Sequence, residues 1–192
     1  MAKEKLIKSP KGALDVYDLL KKYYDPTSET YRILVAHSEC VAKKALQIEK
    51  RHREWKLDRK LIYEGAMLHD IGIYLCDAPG VYCFGIEPYI RHGVFGREIL
   101  EREGLNELAL ICERHTGVGL TLEMIQKRQL PLPHREMIPI SLEEQIICFA
   151  DCFFSKSGDP TEEKSVEQIA RGMAKHGQDQ VQKFEVWCKL FL

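Results

Sequence analysis

Residues Leu61–Ile73 read LIYEGAMLHDIGI, and how this stretch is satisfied decides the fold. Its residues are apolar nearly all round, the pattern of a helix buried on every side, yet it ends in adjacent His69 and Asp70 just before Gly72. Two hydrophilic side chains at the end of a buried segment cost free energy unless a partner satisfies them, and a cation satisfies both. Consecutive helical positions point about 100° apart, so one ion reaches both side chains only near the helix end, where the chain turns away. Gly72 is expected to make that turn as a C-terminal glycine.

Working outward, a helix is predicted over about Glu29 to Arg53, with the stripe Leu34, His37, Val41, Ala45, Ile48 at spacings of three and four. A shorter helix opens before it at Ser9-Pro10 and runs to Tyr24. Downstream, Tyr74 to Tyr89 carries Pro79-Gly80, Gly85 and Pro88 without any period, so it reads as an ordered loop and a candidate lid. Ile90 to Arg102 forms a helix with His92 in its first turn, and Leu105 to His115 places Leu108, Ile111 and His115 on one stripe. After a proline-rich stretch with one helical turn at Leu122 to Arg128, Ser141 and Glu144 form a capping box that opens SLEEQIICFADCFFSK, where Ile147, Ala150, Asp151 and Phe154 share a side. Two more helices follow, near Thr161 to Lys175 and Asp179 to Leu192. The apolar stripe of the last, from Val181 to Phe191, is read as core closure rather than a dimer contact. No alternating strand pattern appears, so the class is all-α.

The length of 192 residues suits one domain over 1–192, with a metal-binding core over about 31–156 and a C-terminal helical extension over 157–192. With 28 basic against 29 acidic residues and a net charge of -1, the chain lacks the electrostatic footprint of a nucleic-acid polymer binder. The opening MAKEKLIKSPKG lacks the apolar core of a signal peptide, and no segment reaches the roughly 18 to 20 apolar residues that cross a bilayer. No membrane partner is expected. The seven cysteines are scattered, without a CxxC pair, and read as reduced thiols of a cytoplasmic protein.

Six polar groups sit at interior-looking positions or at helix ends beside the core: His37, His69, Asp70, His92, His115 and Asp151. Each alone has a plain explanation as a hydrogen-bonded core residue or, for His92, a surface one. Asp151 is harder to explain, because no basic residue lies on its stripe and an unpaired buried carboxylate costs several kcal/mol. Together they need more buried donors than the sequence offers, and a metal centre satisfies them at once. Imidazoles with two carboxylates suit a borderline divalent ion, Fe, Mn, Co, Ni or Zn. Six ligands are too many for one ion that must also admit substrate, so two ions bridged by Asp70 fit better.

His37, then His69-Asp70 within HDIG, then Asp151 in FADCFF, resemble the motif order of the HD-domain metal-dependent phosphohydrolase superfamily over roughly Tyr31 to Lys156. His92 in RHGVFGREIL and His115 in ERHTGVG are similar to the subgroup with a second metal position, which includes hydrolases of symmetrical dinucleoside polyphosphates. CFFSKSGDP, after Asp151, is unlike the corresponding segment of those enzymes. The resemblance implies a helical bundle around a central metal cleft, with His37, His69, Asp70 and Asp151 as first-metal ligands and His92 and His115 helping to hold a second ion. It implies hydrolysis of a nucleotide or other small phosphate ester or anhydride by metal-activated water, with Asp70 central to catalysis. Arg91, Arg97, Arg114, Arg135 and Lys156 lie closest in sequence to these ligands and are the candidate phosphate contacts, while Tyr82, Phe84 and Tyr89 could stack a base. Two alternatives remain: a di-iron HD-type oxygenase on the same ligands, or a non-catalytic sensor of metal and nucleotide.

Overall fold

Helix starts are set by side chains that accept the free amide groups of a first turn. Asp15 accepts from the Tyr17 and Asp18 amides and starts α1 (Val16–Lys21), later than the Ser9-Pro10 start expected from sequence. Ser28 caps α2 (Glu29–Arg51) and Asp58 caps α3 (Arg59–Leu68) in the same way. The structure, a computed structural model, describes residues 7–192; the first six residues of the polar N-terminal stretch lie outside these.

α3 is the hub of the fold, packing against α1, α2, α5 (Asn106–Arg114) and α7 (Leu142–Asp151). Its Ile62, Ala66, Met67 and Leu68 are fully buried, as the all-round apolar pattern requires. The helix ends earlier than expected, at Leu68, and His69 to Gly72 turn before a short 3-10 stretch, Ile73–Leu75. Gly72 does not adopt the left-handed conformation of a C-terminal glycine, since its φ is -86°. Glycine is needed there for room: a Cβ at Gly72 would stand 2.3 Å from the carbonyl oxygen of His92.

The segment read as a plain loop holds a miniature three-stranded sheet. β1 (Cys76–Ala78) pairs antiparallel with β2 (Cys83–Phe84) and parallel with β3 (Glu87–Pro88). Strands this short show no alternation in sequence, which is why the pattern was silent. The Thr30 hydroxyl donates to the Tyr82 carbonyl at 2.6 Å and ties this flap to α2.

Beyond the flap, α4 (His92–Arg102) lies close against α5. Contact at Gly93 is tight, because a Cβ there would meet the Cys112 carbonyl oxygen at 2.5 Å. α6 (Leu122–Lys127) caps a satellite cluster of Val94, Leu120, Met124, Ile125, Leu132 and Met137. At the start of α7 the Ser141 hydroxyl accepts the Glu144 amide, but the Glu144 carboxylate turns to the Ile140 amide and to Arg114, so only half of the expected capping box forms. α8 (Val166–Ala174) and α9 (Gln178–Phe191) complete the chain. Val181, Phe184, Trp187 and Phe191 of α9 are buried, and Phe149 of α7 packs against the last three rings, so this stripe closes the core as expected. Among the described residues, no helix is long and apolar enough to cross a membrane.

Candidate metal centre

The last carbonyls of a helix have no intrahelical donor, and this chain uses them to aim imidazoles. His69 directly follows α3 and its Nδ1 hydrogen bonds to the Ala66 carbonyl at 2.7 Å. His115 directly follows α5 and bonds the Cys112 carbonyl through Nδ1 at 2.7 Å. His92, at the start of α4 after a 3-10 turn, bonds the Tyr89 carbonyl through Nδ1 at 2.6 Å. In each case the carbonyl three residues back requires the proton on Nδ1, which turns Nε2 toward the site. His37 lies within α2, where neighbouring carbonyls belong to the helix, and its buried Nδ1 has no hydrogen-bond partner.

These Nε2 atoms and two carboxylates converge as two groups that could hold metal ions, the donor atoms of each lying within 4.8 Å of one another. In the first group, His37 Nε2 stands 3.3 Å from Asp70 Oδ2 and 3.0 Å from Asp151 Oδ1, while His69 Nε2 is 3.0 and 3.4 Å from the same two oxygens. In the second, the other Asp70 oxygen, Oδ1, is 3.4 Å from His92 Nε2 and 3.5 Å from His115 Nε2. All six residues singled out in the sequence are therefore brought together, with Asp70 between the groups. No cysteine belongs to either group among the described residues.

The donor chemistry fits cations. His92 and His115 both commit Nδ1 to a carbonyl, yet their Nε2 atoms face each other at 3.0 Å, so two lone pairs point at one another unless a positive charge sits between them. The nearby Asp70 Oδ1 is buried and accepts no hydrogen bond. Mixed imidazole and carboxylate donors suit borderline divalent ions. Electrostatics differ between the groups. Burial acts to lower the basicity of His69, but the Asp70 and Asp151 carboxylates outweigh it and raise its pKa to about 10. Burial prevails at His92 and pushes it down to about 4.

Of the cations expected around a substrate, the structure directs only Lys156 into the centre. It follows α7, beyond the stripe on which no basic residue was found, and folds back so that Nζ donates to Asp70 Oδ2 at 2.5 Å and lies 3.4 Å from His37 Nε2. The four arginines are engaged elsewhere. Arg91 pairs with Glu87 at 2.5 Å and Arg114 with Glu144 at 2.9 Å. Arg97 bonds both Glu101 and Glu113, and Arg135 also pairs with Glu113. A cleft of about 350 Å³ opens beside the centre, lined by Asp151, Lys156, Tyr89 and residues of the flap. Sequence reading offered Tyr89 as a ring to stack a base, cover the cleft or pack in the core; here its ring stacks on His92 at 4.7 Å while its carbonyl orients the same imidazole. Its place three residues before His92 was the available signal.

The family model described as HD domain matches residues 34–155, more than half of the chain. The chain belongs to the HD-domain family. An uncharacterized protein of Methanocaldococcus jannaschii is 41% identical to this HD-domain chain over 118 residues, 61% of each. Two proteins named tRNA (cytidine(56)-2'-O)-methyltransferase are similar as well. That of Picrophilus torridus is 34% identical over 120 residues, 62% of this chain and 30% of the relative. That of Thermoplasma volcanium is 34% identical over 154 residues, 80% of this chain and 38% of the relative. The chain thus spans less than two thirds of the length of each of these curated relatives. No solved structure matches.

Proposed function

We propose that this HD-domain protein is a metal-dependent phosphohydrolase acting on a nucleotide or another small phosphate ester or anhydride. The observation that carries the reading is the sharing of Asp70, with Oδ2 turned to His37 and His69 and Oδ1 turned to His92 and His115. His37, His69, Asp70 and Asp151 would hold one divalent ion, and Asp70, His92 and His115 a second. Ions so held supply a water acidic enough to attack phosphorus near neutral pH and a Lewis acid for the phosphoryl oxygens.

The chain's own residues do the remaining work. His69, His92 and His115 are locked by backbone carbonyls and keep their lone pairs aimed without reorganisation. Lys156, whose ammonium bonds Asp70 Oδ2 within the centre, also lines the cleft beside it and would be the nearest side-chain cation for a phosphoryl oxygen. Small phosphorylated molecules are the proposed partners, in keeping with the balanced charge of the chain, and a cytoplasmic setting suits its free cysteines. The methyltransferase name of two relatives is not carried over, since most of each of those proteins lies outside the match.

The test is a phosphate-release screen of protein reconstituted separately with Mn, Fe, Co, Ni and Zn against nucleotides, dinucleoside polyphosphates and sugar phosphates, with bound metal measured alongside. Release that depends on bound metal is expected. Oxygen-dependent turnover with bound iron would favour the di-iron oxygenase instead, and nucleotide binding without release would favour the sensor.

A further inference from the structure

Asp70 stands between the two groups, so the direction of its carboxylate decides whether both can form at once. An aspartate has one methylene between backbone and carboxyl group, so its oxygens follow the backbone direction and a single staggered rotamer. The backbone here has left the ladder of α3. The Ile71 amide bonds the Leu68 carbonyl and the Ile73 amide the Asp70 carbonyl, each at 3.0 Å and each three residues back. What fixes this turn fixes the shared oxygens.

The carbonyls on either side of the ligand pair are both taken by side chains from distant parts of the chain. Before the pair, the Leu68 carbonyl also accepts the Cys112 thiol of α5 at 3.2 Å. After it, the Ile71 carbonyl accepts the Tyr24 hydroxyl, from the link between α1 and α2, at 2.7 Å. Both donors are buried, and thiols and phenols carry their proton at neutral pH. Both are also held in place. The Tyr24 ring meets Tyr74 edge-on at 5.2 Å, and a Cβ at Gly96 of α4 would stand 3.0 Å from Cys112 Cβ and 3.2 Å from its Sγ. Neither residue belongs to the two groups of donor atoms.

We infer that Tyr24 and Cys112 are positioning residues: they bracket the His69–Asp70 turn and hold the Asp70 carboxylate where its two oxygens serve both groups. The inference rests on the two-ion reading above. The groups depend on the bracket unequally. The first has His37, His69 and Asp151 besides Asp70, whereas the second has only His92 and His115. A buried carbonyl stripped of its donor carries the full cost of desolvation, and the turn shifts to recover a partner. Such a shift turns Asp70 Oδ1 away from the second group and leaves the first with three other ligands.

The experiment titrates Mn²⁺ into the metal-free protein by equilibrium dialysis and follows the electron paramagnetic resonance of the bound ions, in which spin coupling distinguishes two ions sharing a carboxylate from isolated ones. The wild-type chain is expected to bind two ions with a coupled signal. Tyr24→Phe keeps the ring and removes only the hydroxyl. It is expected to weaken the second ion by about tenfold, to leave the first within about twofold, and to diminish the coupled signal. Cys112→Ala is expected to do the same, while Cys112→Ser, which keeps a donor, binds the second ion within about threefold of wild type. A general loss of stability would lower the unfolding midpoint without separating the two affinities, and serine would then restore nothing. Tyr24→Phe binding both ions as tightly as wild type, or Cys112→Ser no better than Cys112→Ala, would each overturn the bracket. A wild-type chain that takes up one ion or none overturns the two-ion reading and the bracket with it. A second ion weakened in Tyr24→Phe and Cys112→Ala, with no phosphate released by wild type from any substrate, would overturn the hydrolase reading and leave the bracket standing.

Discussion

In the group His37, His69, Asp70 and Asp151, two carboxylates face two imidazoles and an ammonium, whereas in the group Asp70, His92 and His115 one carboxylate oxygen faces two imidazoles. The two respond to burial in opposite ways. In the first, the excess of negative charge overrides desolvation and keeps a proton on His69, whose pKa rises to about 10. In the second, desolvation prevails and His92 falls to about 4. Burial alone therefore does not set the charge of an imidazole; the number of carboxylates within reach does. In the first group the His69 proton and the Lys156 ammonium offset the carboxylates, while in the second the Nε2 atoms of His92 and His115 face each other at 3.0 Å. A metal entering the first must displace a proton, and one entering the second need not.

Removing the shared residue breaks the comparison altogether. Asp70→Ala is expected to abolish phosphate release and to lower bound metal in both groups, with helicity by circular dichroism largely retained; a rate above about a tenth of wild type would contradict the role. His115→Ala is expected to strike the second group alone, lowering bound metal by one ion per chain in elemental analysis and phosphate release by about a hundredfold. Gly93→Ala sharpens the contrast without touching a ligand. Its Cβ would push on the Cys112 carbonyl that orients His115, so chelator competition should show about tenfold weaker metal binding at the second group, and urea unfolding a loss of about 1–3 kcal/mol.

The opposite imidazole shifts also give the metal-free protein a stability optimum. Between about pH 4 and 6.5 the unfolded chain binds a proton at His92 that the native state refuses, so stability rises with pH there. Between about pH 6.5 and 10 the native state keeps a proton on His69 that the unfolded chain releases, so stability falls with pH. Urea midpoints in chelator across this range should peak near pH 6.5, each limb amounting to a few kcal/mol at most, and His92→Phe should flatten the acid limb. The smallest effect belongs to His52, His134 and His176, which lie away from both groups; their alanine variants should release phosphate within about twofold of wild type.

The helices were legible because their apolar periods run over many residues, and the six site residues because buried polar groups stand out against such stripes. His69 and Asp70 show this most plainly, at the end of a stretch that could only be interior. The boundaries of α1 and α3 shifted because a single cap, Asp15, or a crowded approach, Gly72 against His92, decides where a helix begins or the chain turns. The flap strands escaped because two or three residues are too few to carry a period.

By itself the sequence determined the helical class and the identity of the groups that gather at the centre, since both follow from which residues avoid water and which cannot afford to be buried unpaired. Only the tertiary structure decided which charges face the cleft. Arg114 and Glu144 lie 30 residues apart, and Lys156 and Asp70 lie 86 apart. A charge takes whichever opposite charge the packed helices bring within a few ångströms, and that proximity is a property of the packing rather than of sequence neighbourhood.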